Sequence, residues 1–414
     1  MNPSHDQTSN GNMLRSFLLH PRREAPVVFW TVLLLVAVEF IAIVIAPLVV
    51  PDHVYLGRYL SDTAKENTAQ FLNDEDEYMI RDDVVGWRNR PNSGKGMWAV
   101  DEHGSRTTHP FTTEPSKPFR VMILGSSLVN GGGHVTIDET ITAQLEDSVI
   151  EALNFGTMLY ALDQTFLEYK HELYRYNPQL LIVGISASPQ EGLRNQYVPF
   201  RSPKEINMPY LKPRFRLASH KLELLPLPDR EMHERILEND ELMATLRNSD
   251  EFYSEFGTWK RFGFVPFSYG LWRTWVKARN FMRIVRDDPS ENDLLKAIMT
   301  MMVSEARTHG AKVLFITLPD VPAISPGRIR RFLPDEYGRM VEDLKSSGYW
   351  VLDIRDTFRA SGEGVRDLFW VDNYHFSPEG NRLIAQAIRR EIDGHIPPEF
   401  AGTTNAADSA LADR

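Results

Sequence analysis

Hydrophobic positions fall into three patterns along this chain, and each predicts a different element. The first is an unbroken run, VVFWTVLLLVAVEFIAIVIAPLVV, from Val27 to Val50. It exceeds the roughly 20 apolar residues needed to cross a bilayer, so it predicts one transmembrane helix. The second is a series of short apolar stretches alternating with helically spaced ones. FRVMIL, ending at Leu124, is apolar except for Arg120, which suits a strand buried on both faces over Val121 to Leu124. Further strands are expected at 152–154, 180–185, 312–318 and 349–354, with helices at 138–150, 163–176, 292–309, 335–346 and 378–391. Such alternation implies an α/β fold, a parallel sheet with helices on both faces. The third pattern lies between Asn195 and Ser290, where the alternation fails over a length too great for a loop, predicting a mostly helical inserted cap.

The polar positions around the apolar run give it a direction. Arg15, Arg22 and Arg23 precede it and Asp52 follows, so the positive-inside rule puts the N-terminus in the cytoplasm and the rest outside an inner or plasma membrane, single-pass. A cleaved signal peptide is the rival reading, but Pro47 and bulky valines close the run where small residues would be needed. Glu39 sits inside the run, where an ionisable group costs a few kcal/mol unless protonated, paired or packed on another helix. A membrane partner and a neutral, tolerated carboxyl are both open readings. The expected organisation is a tail over 1–26, an anchor over 27–50, a linker or subdomain over 51–118 with a helix around Lys65 to Asp74, a main domain over 119–398 containing the insertion 195–290, and a disordered tail over 399–414.

Composition narrows the chemistry. The net charge of -10 argues against nucleic acid as a partner, because phosphate binding needs a basic face. With no cysteine, a nucleophile must be an oxygen or an amine. HExxH, a Walker loop and a dinucleotide fingerprint are absent, and no metal or cofactor is expected. The second half of the insertion is rich in aromatics, among them Phe256, Trp259, Phe262, Phe264, Trp272 and Trp275, and then in bases from Arg273 to Arg286. Stacking on sugars, contact with anionic lipid, and plain packing of the cap are all open for it.

Two segments carry candidate catalytic groups. MILGSSLVNGGG, Met122 to Gly133, runs a buried strand into a Gly125 turn, two serines and a glycine cluster. An acyl-transfer serine needs that exposure at a strand end, with backbone N–H groups nearby. VDNYHFSPEGNRLIAQAI, Val371 to Ile388, places Asp372 three residues before His375 ahead of a helix, so one short loop holds an acid that can orient a base.

Together these segments resemble the SGNH (GDSL-type) serine hydrolase family, over roughly Phe119 to Ile396 with the insertion unmatched. The resemblance implies a flavodoxin-like sheet, Ser127 as nucleophile, His375 as general base then acid, and Asp372 as its orienter. It also implies an oxyanion hole at the Ser127 N–H, at Leu159 where the family has a glycine, and at Ser188 where it has an asparagine. Ser186 is the fallback for that last position, and Asn195 a substitute by folding back. The layout looks like membrane-anchored members associated with extracellular polysaccharide acylation. An acyl esterase or O-acetyltransferase is expected, acting on acylated carbohydrate or another ester. The alternative is a silent family member that binds polysaccharide or a membrane-bound acyltransferase partner.

Overall fold

The computed structural model describes residues 21–48, 50, 54, 60–201, 210–219, 221–238, 242–253, 265–286, 291–327 and 334–396. Expectations for the two terminal tails, for Arg15 and Asp52, and for Phe256, Trp259, Phe262 and Phe264 lie outside the described residues. The chain forms two compact units, residues 1–61 with 255–278, and residues 62–254 with 279–414.

In the first unit, helix Pro21–Ile45 and the 3₁₀ turn Ala46–Leu48 hold a stretch apolar and long enough to cross a membrane. Most of its side chains point outward, Leu34 and Phe40 among them. One face is covered: Ala42 and Ala46 are buried and Glu39 is half-buried, an i, i+3, i+7 stripe. Ala46, Val50, Val54 and Val265 form a small core against which Phe267, Tyr269 and Leu271 pack. Glu39 finds its partner within the chain. Its carboxylate accepts from the N–H groups of Phe267 at 2.6 Å and Ser268 at 3.2 Å, and from the Ser268 hydroxyl, at the start of helix Phe267–Arg286.

The second unit opens with helix Asp62–Leu72 and an antiparallel hairpin, β1 (Met79–Asp82) and β2 (Gly86–Asn89). The central sheet follows: β3 (Phe119–Gly125), β4 (Ile150–Gly156) and β5 (Leu180–Ser186), then, after a ribbon β6 (Arg214–Ala218) and β7 (Lys221–Leu225), β8 (Lys312–Leu318) and β9 (Val351–Asp353). Its order is β4-β3-β5-β8-β9, all pairs parallel. This is the doubly wound, flavodoxin-like order, which reverses direction beside the first strand, and ligands sit at the carboxyl end of such a switch point. β3 and β4 are buried on both faces along their whole length. On one side, Val121, Ile123, Ile182, Leu314 and Ile316 pack against Ile384, Ile388 and Ile392 of helix Pro378–Ile392.

Two elements differ from their expected form. The helix foreseen over 138–150 is only Ile141–Leu145, after a 3₁₀ turn at Ile137–Glu139. Asp147 Oδ1 accepts from the N–H groups of Val149 and Ile150, both at 2.7 Å, and this turn starts β4 early. The insertion, besides helices Val198–Arg201, Arg230–Glu238 and Phe267–Arg286, contains the β6–β7 ribbon.

Candidate active site

β3 delivers the chain to Ser126, whose hydroxyl accepts from the Leu128 N–H at 3.3 Å and begins the short helix Ser127–Asn130. Ser127 therefore stands at the carboxyl edge of the central sheet, just past the end of β3. Helix Pro378–Ile392 begins at Ser377, which caps the Gly380 N–H at 3.1 Å and donates to Asp367 O at 2.6 Å. A single bridge, Phe369 to Phe376, closes the loop between them and turns Asp372 and His375 toward Ser127.

The structure brings the three together. Ser127 Oγ lies 2.9 Å from His375 Nε2, and His375 Nδ1 lies 2.5 Å from Asp372 Oδ2. Asp372 Oδ1 also accepts from the N–H groups of Tyr374 at 2.9 Å and His375 at 3.0 Å, so the carboxylate is fixed by its own loop. With Nδ1–H turned to the carboxylate, Nε2 keeps its lone pair for the serine proton. Burial pushes the His375 imidazole below its ordinary value, opposed by the Asp372 carboxylate. Burial would raise Asp372, but the hydrogen bonds from His375 and the two backbone N–H groups outweigh it and hold the carboxyl low. The ring has no room to retreat: Gly132 has φ +59°, and a Cβ there would lie 2.4 Å from His375 Cδ2.

A cavity of about 370 Å³ opens beside Ser127, lined also by Leu159, Ser186 and Ser188, with Glu191, Arg201 and Tyr374 around it. All three expected oxyanion positions border this space. Leu159 has φ +63°, the left-handed conformation that glycine would adopt freely and that costs leucine about 1–2 kcal/mol. Its loop is held from outside: Trp87 Nε1 donates to Met158 O at 2.9 Å and Tyr160 Oη donates to Trp87 O at 2.6 Å. Ser188 precedes helix Pro189–Leu193 and makes no side-chain cap bond to it. Asn195 does not serve as the substitute donor. It is buried, donating to Tyr197 O at 2.6 Å and Asp250 Oδ2 at 2.9 Å, because the chain after Leu193 turns into the insertion.

Sequence reasoning missed several groups. His134, directly after the glycine cluster, places Nε2 3.3 Å from Asp372 Oδ2, with its ring 4.8 Å from that of His375. His134, Asp372 and His375 thus bring potential metal-ligand atoms within 4.8 Å of one another. In this geometry both His375 nitrogens are already engaged, by Asp372 and Ser127. Buried Arg106 donates to Asn130 O at 2.8 Å and Val135 O at 3.0 Å, bracing the glycine loop. Asn154 ties β4 to the same loop through Val129 O at 3.1 Å. In the cavity, burial pushes the Glu191 carboxyl up to about 7, with Arg201 opposing.

No family model and no curated protein matches this sequence. Among solved structures, the chain is similar to a catalytic mutant of Axe2, an acetylxylan esterase from Geobacillus stearothermophilus, at 12% identity over 67% of this chain and 94% of that one, with a TM-score of 0.36. It is similar to a putative lipolytic protein of the G-D-S-L family from Desulfitobacterium hafniense at 11% identity over 66% and 98%, TM-score 0.35. TesA is a third, at 10% identity over 66% and 97%, TM-score 0.34.

Proposed function

We propose that this protein is a membrane-anchored, extracytoplasmic serine esterase or O-acetyltransferase of the SGNH type, acting on acylated carbohydrate. The observation that carries the reading is the relay Asp372–His375–Ser127, with the nucleophile at a strand end beside a cavity. In the first half-reaction, Ser127 Oγ attacks the ester carbonyl carbon while its proton moves to His375 Nε2. The C–O bond to the leaving alcohol then breaks, and His375 returns the proton to that oxygen. In the second half, His375 takes a proton from water or a sugar hydroxyl, whose oxygen attacks the acyl carbon; the C–Oγ bond then breaks, and His375 returns the proton to Ser127 Oγ. The Ser127 and Leu159 N–H groups and the Ser188 hydroxyl are the proposed donors to the tetrahedral oxyanion. Hydroxyls, Tyr374, Glu191 and Arg201 around the cavity suit a polar, hydroxyl-rich substrate better than a long acyl chain.

The test uses the full chain in detergent or vesicles, with an activated acetyl ester and then an acetylated polysaccharide. Ser127→Ala should lower turnover by about 10⁴- to 10⁶-fold, and a fluorophosphonate should label the wild type at Ser127. Equal acetate release by both proteins would remove the enzyme reading in favour of a binding role.

A further inference from the structure

We infer that the start of helix Phe267–Arg286 is a second membrane-embedded element, a re-entrant helix lying in the lipid of the outer leaflet against the anchor. The inference rests on the anchor reading of the apolar stretch Pro26–Leu48. It begins from Glu39, nine positions before Leu48. At about 1.5 Å rise per residue this places the carboxylate ~14 Å inside the outer end of the span, close to the half-thickness of a ~30 Å hydrocarbon core. Whatever bonds Glu39 shares that depth. The partners are the N–H groups of Phe267 and Ser268, so the helix begins inside the bilayer.

The arrangement solves two problems of lipid solvation at once. A helix start carries N–H groups without intrahelical acceptors, and lipid offers none. A carboxylate in hydrocarbon needs donors, or costs a few kcal/mol. Here each satisfies the other, and the Ser268 hydroxyl adds a further donor. Packing agrees: the covered stripe of the anchor is Glu39, Ala42 and Ala46, and the small core beside it joins Ala46, Val50 and Val54 to Val265 and Phe267. Small residues on that stripe let the two backbones approach.

From this start the helix carries its exposed side chains outward. Trp272 and Trp275 are 54% and 57% exposed, three residues apart on one face, and Arg279 follows on the same face. Large indoles left exposed with a base one turn later form the pattern of a segment leaving hydrocarbon for headgroups. The occupant of that face is phospholipid, continuous with the lipid around the anchor.

The natural absence of cysteine makes the test direct. Single-cysteine forms of the full chain, Trp272→Cys, Trp275→Cys, Leu34→Cys and Lys221→Cys, are labelled with an environment-sensitive fluorophore and reconstituted into vesicles of zwitterionic and anionic phospholipid. Quenching by spin-labelled lipid is then measured. Leu34 reports the anchor, and Lys221, exposed on the β6–β7 ribbon, reports the aqueous side. The expected result is quenching at 272 and 275 at least about twofold above that at 221, with 272 the deeper of the two. Quenching at 272 and 275 no greater than at 221, with 34 strongly quenched, overturns the re-entrant helix and leaves the anchor standing. An unquenched 34 overturns the anchor and this inference with it. Both positions are exposed, and each site checks the other.

Discussion

The two ends of β3 are built on opposite principles. At its start, Arg120 is fully buried and doubly bonded to buried Glu151, at 2.8 and 3.0 Å, and its remaining N–H groups reach the carbonyls of Thr112, Thr113, Tyr176 and Glu114. Every donor of that guanidinium is occupied. At its finish, Ser127 faces a cavity, Leu159 is held in the left-handed conformation, and Ser188 has a hydroxyl with no cap bond to make. One strand thus joins a saturated polar lock to a set of donors kept open. The lock resists change by leaving nothing for water or substrate to bind. On the proposed reading the open end is useful because its oxyanion donors are pre-aimed while His375 holds the Ser127 hydroxyl.

The largest way to break the contrast is at the open end. Asp372→Asn removes the acceptor that fixes the His375 tautomer and should lower kcat/KM by about 10⁴-fold, while the thermal midpoint stays near wild type. The lock should behave in reverse. Arg120→Met leaves Glu151 buried without its partner and should cost about 3–5 kcal/mol in urea unfolding, with the Ser127 relay intact in whatever fraction stays folded. In the wild type, burial raises Glu151 but its bonds from Arg120 and Ser116 hold it low. Its stabilisation is therefore present above the unfolded-state carboxyl range and lost as pH falls through the folded value. In the variant the unpaired carboxyl prefers its proton, so the deficit should shrink as pH is lowered from neutrality.

A smaller effect sharpens the comparison. Leu159→Gly relieves the left-handed strain and should leave stability equal or higher by up to about 1 kcal/mol, with kcat/KM within roughly tenfold, because the donor proposed there is a backbone N–H. A loss of several hundredfold would mean that the leucine side chain itself contacts substrate. The smallest expected change concerns Glu191, whose carboxyl burial lifts to about 7. Above that pH it is charged beside Arg201, so kcat/KM for an anionic ester relative to a neutral one should fall as pH rises through about 7. Glu191→Gln should flatten that ratio, by a factor of about two to five.

What could be read from the chain followed how local its cause was. The strands of the sheet were legible because burial on both faces writes itself as continuous apolar runs, and the ends moved by only a few residues, from 152–154 to Ile150–Gly156 for example. Ser127, Asp372 and His375 stood out because each lies in a dense local motif. His134, Arg106, Glu191 and Arg201 did not, since their roles arise only when distant segments meet at the sheet edge. Trp87 is the clearest case: it lies in the stretch expected as a linker or subdomain, yet its indole donates to Met158 O, 71 residues away, and braces the loop carrying Leu159. The β6–β7 ribbon was missed although RFRL and KLEL alternate, because both runs are short and lie where the regular succession of buried strands and helices stops.

The bond between Glu39 and Phe267 joins residues 228 positions apart, and this has a consequence for synthesis. At about 5–20 residues per second, roughly 10–50 s pass after Glu39 is made before its partner emerges from the ribosome. Under the proposed anchor reading, the apolar helix carries throughout that interval a carboxylate whose donors do not yet exist, so the nascent chain would differ in bilayer affinity from the finished protein. Any truncation ending before Phe267 makes that temporary state permanent, and a quality-control system that recognises unsatisfied polar groups in membranes would meet it at Glu39.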